Sequence, residues 1–157
     1  MQGTAVPITE STERMHLSLT KQGQYGVQML IHLASEPEGT RLTAKELAQH
    51  CGIPAGNVPT VVNRLSRGGF LDCTPGRNGG CALARSPERI SMLDIVNCLE
   101  GSLDISHCLL DGHRCAEKAS ECAVHFAWSE GRQAAIESLK STTLEAVTAR
   151  DVELHGS

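Results

Sequence analysis

The stretch Thr43-Ala-Lys-Glu-Leu-Ala-Gln-His-Cys-Gly-Ile-Pro54, continued by Asn57-Val-Pro-Thr-Val-Val-Asn-Arg-Leu-Ser-Arg-Gly-Gly69, decides the fold. Thr43 and Glu46 stand three residues apart ahead of an apolar pattern. The Thr hydroxyl can accept the Glu46 N–H while the Glu carboxylate reaches back to the cap, the arrangement of a capping box. A short helix to about His50 follows. Cys51-Gly52-Ile53-Pro54 then supplies a tight turn, and Val58, Val61, Val62 and Leu65 recur at helical spacing up to Gly68-Gly69. Helix, Gly-containing turn and second helix make a helix-turn-helix.

Working outward, Phe70-Leu71-Asp72-Cys73-Thr74 and Cys81-Ala82-Leu83-Ala84 flank the turn Pro75-Gly-Arg-Asn-Gly-Gly80 and read as a small hairpin, the wing of a winged helix. Upstream, Leu19 to Ala34 carries Tyr25, Val27, Met29, Leu30, Ile31 and Leu33, a largely buried helix broken at Glu36-Pro37-Glu38-Gly39. Downstream, Ser91 and Asp94 resemble a second capping box opening a helix to Glu100. Residues 101–121 are loop-like, a long helix runs from near Cys122 to about Lys140, and a short one begins at Thr143. The expected fold is mainly α: a winged helix-turn-helix with a β-hairpin wing and a long C-terminal dimerisation helix. The expected organisation is a disordered tail at 1–14, a winged-helix region at 15–90, a loop and dimer helices at 91–148, and a tail at 149–157.

The 157 residues contain one Trp, one Tyr and two Phe, so the core must be built from aliphatic side chains, which suits helices. The net charge is −4, unevenly spread. Residues 20–90 hold eight Lys/Arg against five Asp/Glu, and residues 91–157 hold five against eleven. Only the first half is suited to meet phosphates. No apolar run approaches the ~18 residues that span a bilayer, and the N-terminus lacks the basic-then-apolar order of a secretory signal. A cytoplasmic protein without a membrane partner is expected.

The second helix of a helix-turn-helix enters the major groove, and its N-terminal side chains reach base edges. Here these are Asn57, Thr60 and Asn63, with Arg64 and Arg67 further along for phosphates. Asn can pair with adenine in bidentate fashion, and Thr can touch the thymine methyl. Arg77, at the tip of the hairpin, is the candidate for a minor-groove contact, against the plainer reading of a solvated loop residue. The expected partner is a double-stranded DNA operator.

Seven cysteines in a reducing compartment read as ligands or redox groups before disulfides. Cys108, Cys115 and Cys122 follow one another as Cys-x6-Cys-x6-Cys, and His125 continues as Cys-x2-His. Thiolates gathered on a loop suit an iron–sulfur cluster or zinc. Structural zinc sites usually include one closely spaced pair of ligands, which the first two gaps are too wide to form. Cys51, Cys73, Cys81 and Cys98 read as small apolar packing residues. An enzyme with a low-pKa thiol beside His107 or His113 is the rival class. No Cys-x2-Cys pair supports it, and no catalytic activity is expected.

Leu19-Thr-Lys-Gln-Gly-Gln-Tyr-Gly26, the Leu-Ala-x2-Cys-Gly-Ile-Pro turn at 47–54, the Gly76-x2-Gly79-Gly80 wing and Cys122-Ala-Val-His-Phe-Ala-Trp128 resemble the Rrf-type family of bacterial winged-helix transcription regulators over about residues 15–148. The resemblance implies a homodimer built on the helix after Cys122, with a cluster held by Cys108, Cys115, Cys122 and His125 near the interface. In the NsrR-like branch an Asp early in the first helix serves as ligand from the partner subunit; Gln24 stands there, and an amide is a poor iron ligand. The IscR-like branch completes a 2Fe–2S cluster with a His spaced as His125 is. Both cysteine gaps are one residue longer here than in that branch, so 4Fe–4S stays open. Pro75 occupies the position where the family often carries a wing Arg, which Arg77 replaces. The implied function is DNA binding controlled by a cluster that responds to iron–sulfur, redox or nitric oxide status. The alternative is a cluster-free thiol-based or zinc-binding regulator of the same fold.

Overall fold

The computed structural model describes residues 18–101 and 122–156. Among the described residues, six α-helices, α1 (Lys21–Ser35), α2 (Ala44–His50), α3 (Val58–Arg67), α4 (Met92–Glu100), α5 (His125–Ser141) and α6 (Leu144–His155), accompany one hairpin of β1 (Leu71–Thr74) and β2 (Gly80–Leu83). The helix-turn-helix is α2 and α3, and the hairpin is the wing. Among the described residues, no helix is long and apolar enough to cross a membrane.

Each boundary around α2 and α3 has a local cause. Thr43 Oγ1 accepts the Glu46 N–H at 3.3 Å, and Glu46 Oε2 accepts the Thr43 N–H at 2.7 Å, so both halves of the capping box form. At the far end Ile53 N–H reaches Ala48 O at 2.9 Å and Gly52 N–H reaches Gln49 O, a Schellman motif that needs the positive φ of Gly52, +62°. The same motif closes α3. Phe70 N–H bonds Leu65 O at 2.9 Å and Gly69 N–H bonds Ser66 O at 3.0 Å, with Gly69 at φ +74°. Ile53 and Phe70, the residues just past each stop, are buried and turn the chain back into the core.

The core joins Met29, Leu30 and Leu33 of α1 to Leu47, Val58, Val61 and Leu65 of the helix-turn-helix, and to Ile95, Leu99 and Leu144. At the wing, β1 and β2 pair antiparallel, with Cys73 opposite Cys81 and Leu71 opposite Leu83. On its other side β2 meets Leu42, whose N–H and C=O bond the Cys81 backbone at 3.0 and 2.8 Å. Arg41 fastens the wing base. Its guanidinium donates to Asp72 O and Gly80 O at 3.1 and 3.2 Å and pairs with the Asp72 carboxylate.

Three readings of the sequence change. Cys73 and Cys81, read as separate packing residues, are joined by a disulfide, because the register sets them opposite each other. The long helix begins at His125 instead of near Cys122. Cys122 to Val124 form a turn, and no side chain caps the helix. The final helix packs on α1 and continues past 148 to His155, so residues 149–155 are a largely exposed extension of that helix instead of an irregular tail. Thr143 Oγ1 caps it, and Leu144 N–H to Ile90 O with Met92 N–H to Thr142 O, both 2.8 Å, dock its start beside α4.

Candidate nucleic-acid interface and cysteine site

Residues 60, 63, 64 and 67 fall at the i, i+3, i+4, i+7 spacing of one helix face. Thr60, Asn63, Arg64 and Arg67 are exposed and line one shallow concavity together with Gly68 and Cys98. Val58, Val61 and Leu65 point into the core and hold α3 by its opposite face. Asn57 stands at the N-cap, half-buried, without a side-chain capping bond, so its amide is not committed to its own helix. Arg77 is exposed in the wing turn.

Arg64 has a second connection. Its Nη1 donates to Leu99 O at 2.5 Å, and Cys98 Sγ lies 3.5 Å from Arg64 O, so α3 and the last turn of α4 are bonded in both directions. One residue on, Glu100 Oε1 accepts from Thr20 N–H at 3.1 Å and from Thr20 Oγ1 at 2.8 Å, clasping the N-terminus of α1. Gly23 and Gly26 permit this approach. A Cβ at Gly23 would overlap the Glu100 carboxylate, and one at Gly26 would overlap Leu99. The end of α4 is thus held to both α1 and the recognition helix, immediately before Gly101 and the segment that carries Cys108 and Cys115.

Cys108 and Cys115 lie outside the described residues. Cys122 and His125 are half-buried at the start of α5, where the turn is closed by His125 N–H to Cys122 O at 3.2 Å. Thiolate and imidazole are suitable iron donors, so the described half of the set fits an iron–sulfur group. The two residues are related by a turn and not, as the sequence implied, by one helical step. Gln24 is occupied otherwise: its Nε2 donates to Leu19 O at 3.0 Å and its Oε1 accepts from Lys21.

The remaining described thiols behave as packing groups. Burial pushes the Cys51 thiol up, and burial raises Cys98 against the opposing pull of Arg64 and Arg85. Neither is a thiolate at neutral pH. The capping bonds from Thr43 hold the Glu46 carboxyl below its ordinary value. Sequence reasoning missed the Arg64–Leu99, Arg41–Gly80 and Glu100–Thr20 bonds, because carbonyl and backbone partners leave no side-chain pattern. Two glycines one turn apart inside α1 were the available signal for a close neighbour.

The sequence matches the model of the Rrf2 family, described as an iron-dependent transcriptional regulator, over residues 19–150. Among solved structures, CymR (YrzC), the global cysteine regulator of B. subtilis, is 27% identical with a TM-score of 0.70, covering 86% of this chain and 98% of its own. T. potens IscR is 26% identical with a TM-score of 0.67, covering 91% and 94%. Staphylococcus aureus CymR is 26% identical with a TM-score of 0.63, covering 82% and 96%.

Proposed function

The chain belongs to the Rrf2 family of transcriptional regulators, and from that premise we propose that it is a homodimeric, operator-binding regulator whose DNA affinity is set by an iron–sulfur cluster, 2Fe–2S in the first instance. The reading rests chiefly on one observation: the exposed ridge of α3 is bonded through Arg64 to the α4 end that leads into the cysteine segment. Asn57, Thr60 and Asn63 would read base edges. Arg64 and Arg67 would meet phosphates, and Arg77 would reach the minor groove. Cys108, Cys115, Cys122 and His125 would hold the cluster, which supplies a redox-active and labile centre when bound. A change in how residues 102–121 are held would move the α4 end, and Arg64 and Glu100 would carry that displacement to α3 and α1.

Dimerisation would use α5. None of its residues is fully buried, and Phe126 is 68% exposed. Exposed Phe126, with the half-buried Trp128, Ile136 and Leu139, would meet a second copy.

Anaerobic isolation with iron and sulfide assay tests the reading. Coloured protein is expected, with Cys108→Ala, Cys115→Ala and Cys122→Ala each losing the visible bands. His125→Ala should make the bands labile, and His125→Cys should retain them. Colourless protein that binds no iron after reconstitution would overturn it. The second reading, a cluster-free thiol-based regulator, is favoured by the paired Cys73 and Cys81 and by the likeness to cysteine regulators. It predicts that the protein takes up no iron on reconstitution and that the thiol–disulfide balance alone turns operator binding on and off.

A further inference from the structure

The wing places two cysteines face to face on its paired strands. Ala84 N–H bonds Phe70 O, which makes 70/84 a hydrogen-bonded position. Counting inward, 72/82 and 74/80 are the next, so Cys73 and Cys81 occupy the intervening non-hydrogen-bonded position, where strands run closest. Their Cα atoms are 4.1 Å apart. The backbone of Cys81 is turned the other way, to Leu42, and Arg41 pins the neighbouring carbonyls of Asp72 and Gly80. The pair is therefore held opposed by the sheet whether or not a bond joins it. Beyond it lie the Thr74/Gly80 pair and the Pro75–Gly79 turn that carries Arg77. A protein acting on DNA works where thiols are kept reduced, and a disulfide there is usually the transient member of a redox couple.

We propose that Cys73 and Cys81 form a reversible thiol–disulfide exchange site for low-molecular-weight thiols and disulfides, and that closing the bond raises DNA affinity. In the reducing direction a small thiolate attacks the sulfur of Cys73, the less buried residue of the two, and Cys81 leaves as thiolate and takes up a proton. A second small thiol releases Cys73. Two small thiols become one small disulfide while the protein disulfide becomes two thiols, so electrons and protons balance. In the closed state residues 73–81 form a ring that restricts the tip, and less ordering of Arg77 is left to be done on the DNA. The exchange site does not depend on the cluster; its effect on DNA rests on the wing contact proposed above.

The test uses full-length, metal-free protein equilibrated anaerobically over a range of reduced-to-oxidised glutathione ratios. The bond is read by alkylation and peptide mapping. Affinity is read by fluorescence anisotropy on a duplex selected from a random library, about three helical turns long. The bond should open and close within that range, with the closed protein binding about fivefold more tightly. Cys73→Ser should bind like reduced wild type at every ratio. Cys81→Ala serves as a second variant that keeps the buried site apolar. Absence of the bond in oxidised glutathione would overturn the exchange site, and equal affinities of mapped open and closed protein would overturn its effect on DNA. A redox response that survives in Cys73→Ser would assign it to other thiols and refute the proposal. If no metal-free form binds any duplex, the stated effect of the bond on DNA affinity is refuted, while the exchange site is still decided by mapping.

Discussion

Replacing Arg64 by alanine separates two roles that one guanidinium could fill. As a phosphate ligand it would contribute to DNA affinity alone. As the donor to Leu99 O it also ties α3 to α4 in the free protein. A charge-assisted bond to a carbonyl contributes about 1.5–3 kcal/mol. Arg64 is exposed, so solvent screening brings this to about 1 kcal/mol. For a domain of this size that corresponds to a melting point lowered by roughly 2–4 °C. With α3 released from α4, the ratio of operator affinities between metal-loaded and metal-free protein should also shrink toward one. Arg67 is the control, because it sits on the same face of α3 and Arg67→Ala should leave the melting point unchanged. It should lower the slope of log K against log salt by about one. Calorimetric melts and salt titrations of both variants decide the matter. An unchanged melting point in Arg64→Ala, together with a slope lowered by about one, would show that the guanidinium serves phosphate and would refute the tie.

Asn57→Ala and Thr60→Ala should relax base preference with little loss of non-specific binding, measured by selection from a random duplex pool; unchanged preference in both would remove them from the reading face. Glu46 has a lowered folded pKa, so its capping bond stabilises α2 above the unfolded value of about 4.3 and is lost as pH falls through the folded one. Glu46→Gln should therefore flatten the acid limb of a melting-point profile, and an unchanged limb would count against the cap. Cys51 and Cys98, held as thiols by burial, should react with iodoacetamide far more slowly in folded than in unfolded protein, as followed by peptide mass spectrometry. Equal rates would show that these sites open readily.

The winged helix was legible because its signals are local. Thr43 and Glu46 announce one helix, Gly52 and Gly69 end two, and the Gly-rich turn at 75–80 marks the hairpin. The face of α3 followed from periodicity alone. The bonds that join α4 to its neighbours were not legible, because Leu99 contributes a carbonyl and Gly23 an absence of side chain. The Cys73–Cys81 bond was hidden for a different reason: it depends on register, and a shift of one residue would have turned one of the two side chains to the other face. Where α5 begins depended on a turn without a capping side chain, for which Cys122-Ala-Val offers no pattern.

The packing of α6 on α1 joins the first described helix to the last. On the ribosome, α1 emerges while Leu144 and the turn that docks it are still about a hundred residues from synthesis. At about 5–20 residues per second, the surface of α1 that α6 covers waits on the order of ten seconds for its partner. During that interval the nascent chain presents an apolar helix that chaperones would bind and proteases would cut. A chain stopped before Leu144 would never cover that surface, so the folding of α1 is completed only once α6 has been made.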